Sequence, residues 1–135
     1  MKRWNGKPPL VLIVDDDPAI RMLCSETLAR EGIVVLEAPD GRHGLAQARS
    51  RRPHLVVSDV MMPILDGFQL AEALRGDERT RRIPLIFLSG EHHAADAACA
   101  RQLGALAYLT KPFDPATLAS LVAGLLARFQ PLAVN

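Results

Sequence analysis

This chain of 135 residues has little lysine, little cysteine and no long apolar run, and each shortage excludes something. No apolar stretch approaches the ~18 residues a helix needs to cross a bilayer. The basic start, residues 1–9, has no apolar core of signal-peptide length, so a cytoplasmic protein without a membrane partner is expected. The two cysteines, Cys24 and Cys99, lie in helical patterns without a C-x-x-C or a Cys/His cluster. They read as buried free thiols in a reducing compartment. A net charge of +1 leaves no basic footprint for nucleic acid. No G-x-G-x-x-G and no P-loop is present, so the glycine-rich turns that cradle nucleotide phosphates are missing. Lysine is the telling shortage: there are three against thirteen arginines, and Lys2 and Lys7 fall in residues 1–9. Lys111 therefore stands alone in the body of the chain, where a compact point charge is wanted and a planar guanidinium would not substitute.

What is present is one domain's worth of core, with 49% hydrophobic residues. It is expected over residues 10–130, after a leader (1–9) and before a short tail (131–135). Leu55, Val56 and Val57 form a continuous apolar run that delivers Ser58 and Asp59 to its end. A strand covered on both faces by helices looks like this, and such a strand is central in a parallel sheet. Pro63 cannot donate to a ladder and biases Met62 toward extended backbone, so the chain turns just after Asp59. Ligands collect at the carboxyl ends of strands in such sheets, although an aspartate there can also serve only as a loop cap.

Further strands are expected at Leu10–Val14, Val34–Ala38, Leu85–Leu88 and Ala105–Thr110. Between them run helices opened by Asp17-Pro18, Asp40-Gly41, Asp66-Gly67 and Asp114-Pro115, with Gly32 and Gly104 as stops. The first helix carries Ile20, Leu23, Cys24, Thr27 and Leu28 on one face. Five strands alternating with five helices make an α/β fold, a five-stranded doubly wound parallel sheet of (βα)5, flavodoxin-like form.

At the strand ends this arrangement gathers Asp15 and Asp16, Asp59, Ser89 and Lys111. Two carboxylates ~4 Å apart repel by about 4 kcal/mol at an effective dielectric of ~20, so three together need protons or a divalent cation. Mg2+ suits one or two carboxylates, waters and a phosphoryl oxygen. A carboxylate opposite such an ion, with a hydroxyl and an ammonium nearby, can attack phosphorus and form an acyl phosphate. His43, His54, His92 and His93 have unrelated spacings and do not read as metal ligands.

The segments Val-Asp-Asp-Asp-Pro (14–18), Ser-Asp-Val-Met-Met-Pro (58–63) with Asp66-Gly67, Phe-Leu-Ser-Gly (87–90) and Tyr-Leu-Thr-Lys-Pro-Phe (108–113) together resemble the response-regulator receiver domain of two-component signalling. The resemblance covers nearly all of residues 10–129. It implies that Asp59 accepts a phosphoryl group from a sensor histidine kinase or a phosphotransfer protein. It implies Mg2+ held by Asp16, Asp59 and the backbone carbonyl of Met61, and by Asp15 through water. Ser89 and Lys111 would contact the phosphoryl group, Tyr108 would change rotamer with Ser89, and the Lys111-Pro112 peptide would be cis. Met61 and Glu91 fall where the family varies most, which leaves the lifetime of the phosphate open.

Two rivals remain. An aspartyl-nucleophile phosphatase would use the Asp-x-Asp spacing at Asp15 to Asp17, but it wants further acids after its lysine, where only the helix cap Asp114 follows. A receiver-like interaction module that is never phosphorylated would lack an acid or the lysine, and none is missing. The domain itself is expected to be no enzyme. The last helix carries no charge from Pro115 to Ala127. Leu118, Leu121, Val122, Leu125 and Phe129 suffice to cover the sheet, and the other side offers Ala116, Ser120, Ala123, Gly124 and Ala127. With Ala94, Ala97 and Ala100 of the fourth helix and Tyr108 between, that face is expected to meet a downstream protein or a second copy as a homodimer. No output segment lies within the 135 residues, which leaves three expectations open: a stand-alone receiver that signals by docking, a phosphorelay shuttle, or the receiver part of something longer.

Overall fold

The computed structural model describes Trp4, residues 6–90 and residues 94–129. Strands β1 (Leu10–Val14), β2 (Val34–Ala38), β3 (Leu55–Asp59), β4 (Leu85–Ser89) and β5 (Ala107–Thr110) alternate with helices α1 (Pro18–Ala29), α2 (Gly41–Arg51), α3 (Gly67–Arg75), α4 (Ala94–Gln102) and α5 (Pro115–Phe129). All pairings are parallel and the sheet order is β2-β1-β3-β4-β5, which puts the Asp59 strand in the middle. The middle position explains why β3 and β4 are apolar on both faces: every residue of each is buried.

The side chains divide into two cores, one on each face of the sheet. Val11, Ile13, Val57 and Leu88 face α1 and α5, where Cys24, Leu28, Leu118, Val122 and Leu126 meet them. Leu12, Val14, Val56 and Phe87 face α2 and α3, where Ala48, Leu70, Ala71 and Leu74 close the other layer. Phe87 meets Phe68 of α3 edge to face, with centroids 5.1 Å apart.

Local chemistry sets the helix starts. Asp17 accepts the Ala19 N–H at 2.9 Å with Pro18 just inside α1, and Asp40 accepts the His43 N–H at 2.8 Å. Asp66 and Gln69 form a reciprocal capping box at α3. The α1 exit is taken by Gly32 at φ 77°, a left-handed position that a side chain resists.

Several expectations are corrected. Leu23 is 37% exposed, because α1 buries the narrower arc of Cys24 and Leu28 and leaves Leu23 on its flank. Cys99 is only half-buried, while Cys24 is fully enclosed. The last strand starts at Ala107 rather than Ala105, since Ala105 still bonds back to Ala100 as the exit of α4 and Leu106 is exposed. On α5, Leu126 joins the core and Ala123 packs against it; on α4, Ala100 is buried. The side chains of Ala94 and Phe129, and Glu91, His92 and His93 altogether, lie outside the described residues. Trp4, passed over in the leader, is 2% exposed and gives its indole N–H to the Glu31 carbonyl at 3.0 Å.

Candidate functional site

Parallel strands end side by side, so the residues just past β1, β3, β4 and β5 share one edge of the sheet. Asp15 follows β1, Asp59 ends β3, Ser89 ends β4 and Lys111 follows β5. The register sets Asp59 opposite Leu88 and Ser89 opposite Thr110. The Lys111 N–H donates to the Ser89 carbonyl at 2.6 Å, which ties the last two strand ends together.

The structure brings the three acids into one cluster: Asp15, Asp16 and Asp59 each offer an oxygen within 4.8 Å of the others. Asp15 is fully buried, Asp59 is 6% exposed and Asp16 faces solvent. Lys111 Nζ lies 3.0 Å from Asp15 Oδ2 and 3.3 Å from Asp59 Oδ2. One ammonium thus faces two carboxylates. Burial first, then the charge of Asp15, raises the Asp59 carboxyl from 3.8 to about 6; Lys111 pulls against this and Asp16 adds to it. Burial alone would lower Lys111, but its hydrogen bond to Asp15, then the charges of Asp15 and Asp59, lift it above its ordinary value. At neutral pH the cluster keeps an uncompensated negative charge. Hard carboxylate oxygens at this spacing fit a small divalent cation such as Mg2+.

Other expected residues fall around this cluster. Met61 is two residues past Asp59 and 69% exposed. Ser89 is buried at the end of β4. Tyr108 sits half-buried in β5, opposite Phe87 and packed against the α2/α3 core. The Lys111-Pro112 peptide is cis. The first turn also explains why the third acid does a different job: Asp17 caps α1 while its N–H donates to Asp15 Oδ1 at 2.9 Å.

Two contributors escaped the sequence reading. Gly67 packs so tightly that a Cβ there would overlap the Asp59 carbonyl oxygen and stand 2.9 Å from the Val60 Cα. Its signal was present as the Asp-Gly pair, which was read as a helix start and as part of the family motif but not for this close packing. Arg21 of α1, which no motif marked, gives Nη1–H to the Asp15 carbonyl at 2.7 Å and Nε–H to Glu37 at 3.2 Å. Away from the cluster, His43 pairs with Asp40, and His54 Nδ1 accepts the Leu10 N–H at 2.9 Å.

The family profile for the response regulator receiver domain matches residues 11–123. The chain belongs to the response-regulator receiver family. Protein PilH of Pseudomonas aeruginosa is 38% identical over 117 residues, which cover 87% of this chain and 97% of PilH. The DNA-binding dual master transcriptional regulator RpaA of Synechocystis is 42% identical over 120 residues, 89% of this chain and 50% of RpaA. The chain thus spans about half the length of RpaA, as it does of the regulator CseB of Streptomyces coelicolor. Chemotaxis protein CheY4 of Vibrio cholerae has a structure similar to this one at a TM-score of 0.83 and 35% identity, covering 88% of this chain and 99% of that one. This receiver is accordingly a signalling module of phosphorelay systems, with the flavodoxin-like sheet of CheY4 and an acidic cluster of the kind at which receivers bind Mg2+. Among its described residues, no helix is long and apolar enough to cross a membrane.

Proposed function

We propose that Asp59 takes a phosphoryl group from a phosphohistidine of a sensor kinase or phosphotransfer protein, with Mg2+ held by Asp15, Asp16, Asp59 and the Met61 carbonyl. The observation that carries this reading is the triad of carboxylates within 4.8 Å of one another, faced by one lysine ammonium. A cluster arranged only for stability would match its acids with more cations, whereas this one is left short of positive charge. Bound Mg2+ supplies the charge that lets an anionic carboxylate and an anionic phosphoryl group approach.

Asp59 is the carboxylate to react. It ends the central strand, and its neighbours Asp15 and Lys111 already hold each other at 3.0 Å. An Asp59 oxygen forms the new O–P bond as the P–N bond of the donor breaks, and the departing imidazole nitrogen keeps the electron pair and takes a proton from solvent. Lys111, 3.3 Å from Asp59 in the resting state, moves its ammonium onto a phosphoryl oxygen as that oxygen arrives. The hydroxyl of Ser89, at the adjacent strand end, donates to a second oxygen. Tyr108 follows Ser89, and the change spreads to the face formed by α4, β5 and α5.

That face supports a role in docking a downstream protein or a second copy. Ala116, Ser120 and Gly124 are exposed on α5, Leu106 is 45% exposed, and a cleft of about 200 Å³ between α4 and β5 is lined by Ala97, Leu106 and Tyr108 among others. With Ala100 and Ala123 packed into the cores, the surface is smaller than the sequence implied, and the cleft beside Tyr108 is its centre.

The test is incubation with acetyl phosphate and MgCl2 followed by intact-mass analysis and peptide mapping. One phosphoryl group on Asp59, labile to base and to hydroxylamine as an acyl phosphate is, is expected, absent in Asp59→Asn and in EDTA. Equal labelling of the variant, or labelling indifferent to EDTA, overturns the assignment.

A further inference from the structure

Asp16 is the least restrained member of the acidic cluster. It is exposed, and no hydrogen bond or ion pair of its carboxylate appears among the described residues. Its place within 4.8 Å of Asp15 and Asp59 is therefore set by the backbone that carries it. That backbone is held at three points. The Asp15 N–H donates to the Ala38 carbonyl at 3.2 Å, the Asp17 N–H donates to Asp15 Oδ1 at 2.9 Å, and the Asp15 carbonyl accepts Arg21 Nη1–H at 2.7 Å. With Asp15 and Asp17 held by the first two contacts, the last one sets the plane of the peptide joining Asp15 to Asp16, because a planar peptide between held Cα atoms can turn only by swinging its C=O. Arg21 is itself braced: its Nε–H bonds Glu37 of β2 at 3.2 Å, and the Glu37 carbonyl accepts the Gln47 side-chain amide at 2.7 Å. The guanidinium fork can serve both partners at once, which an ammonium cannot.

We infer that Arg21 is a positioning residue for the metal-binding acids: with Glu37 as its brace, it sets the Asp15–Asp16 peptide and so holds the Asp16 carboxylate ready for the cation. The inference rests on the reading that Asp15, Asp16 and Asp59 bind Mg2+. It separates cleanly from a purely electrostatic role because the two have opposite signs. A positive charge next to an acidic cluster opposes a divalent cation, so deleting it without any change of geometry tightens binding. Loss of a hydrogen bond to a charged donor that preorganises the ligand weakens it.

Calorimetric titration of the purified chain with MgCl2 tests this, alongside Arg21→Met and Arg21→Lys. The expected result is a dissociation constant raised about tenfold in Arg21→Met, as loss of a preorganising charge-assisted bond implies, and by a smaller factor in Arg21→Lys, which keeps the charge but not the fork. Should Arg21→Met fold poorly, as thermal melting in EDTA will reveal, Gln47→Ala removes the amide that holds the Glu37 carbonyl without altering any charge, and a rise of about twofold is expected. An unchanged or lower constant in the folded variants overturns the inference. A wild-type chain that takes up no Mg2+ instead overturns the reading on which it rests.

Discussion

Asp59→Asn should make the metal-free protein more stable, although it deletes the residue proposed to do the chemistry. Its carboxyl is raised from 3.8 to about 6 by burial and by the charge of Asp15. A shift of roughly two units corresponds to at most about 3 kcal/mol of native-state cost when the group is ionised. The amide keeps the shape and sheds the charge but weakens the contact with Lys111, which retains Asp15 at 3.0 Å. A net gain of about 1–2 kcal/mol near neutral pH is expected, or a melting temperature higher by about 4–8 °C. The sign in pH follows from linkage. The folded value lies above the unfolded one, so the native wild type binds more protons in the window between them. Its stability from this group is complete below about pH 4 and is lost as pH rises through about 6. The advantage of the variant should therefore be near zero at about pH 4 and fully open by about pH 7.5. Urea unfolding in EDTA at several pH values measures it. Added MgCl2 should then close the gap from the other side, since a ligand bound only by the native wild type stabilises it by about 2.7 kcal/mol at a hundredfold excess over Kd. A variant no more stable than wild type at any pH refutes the argument that burial and mutual repulsion strain this cluster.

Lys111→Arg keeps a cation but cannot place a compact ammonium 3.0 Å from Asp15 and 3.3 Å from Asp59 at once; labelling by acetyl phosphate should survive at a reduced rate while the phosphorylation-dependent change in amide exchange on β5 and α5 is lost. A variant that switches as wild type does would remove lysine's special role. Gly67→Ala would drive a methyl group into the Asp59 carbonyl and toward the Val60 Cα, costing about 2–3 kcal/mol in urea unfolding; a cost under about 0.5 kcal/mol would mean the β3–α3 turn yields easily. Ser120→Glu, at an exposed α5 position, should leave stability within about 0.5 kcal/mol of wild type and reduce phosphorylation-dependent self-association or partner capture, which sedimentation and pull-down with both phosphorylation states would read. Equal association in both states would move the output surface elsewhere.

The sheet was legible because its strands are short, mostly apolar and bounded by Asp-Pro, Asp-Gly and Pro punctuation, and the helix caps at Asp17, Asp40 and Asp66 do in three dimensions what their residue types promise. Legibility failed where a helix face is chosen by its neighbours. Periodicity alone put Leu23 inside and Ala100 and Ala123 outside; α1 sits so that Cys24 and Leu28 take the core positions, and Ala100 and Ala123 are packed into or against the two cores. Trp4 was missed for a related reason: an isolated aromatic in a polar leader has no periodic partners, and its burial against Gly32 and Glu31 depends on a turn more than twenty residues away in sequence.

The acids and the lysine could be named from the chain because each ends or follows an apolar strand, and parallel strands must end together. What sequence could not supply is the support behind them. Arg21 lies on a helix whose other arginine, Arg30, is exposed just past its end, and nothing in the spelling separates the two. The difference arises only when α1 packs on β1 and β2, so that one guanidinium reaches both the Asp15 carbonyl and Glu37. The same packing explains why a cluster with a net negative charge can persist in the resting protein. Its carboxylates are carried on backbone locked by the Ala38 and Val60 ladders, Gly67 leaves the β3–α3 turn no slack, and Lys111 is tied to Ser89 through the chain itself. The repulsion between the buried Asp15 and Asp59 cannot relax by moving these two apart, so it is held until a cation or a proton arrives, and the fold is rigid where that arrival has to be felt.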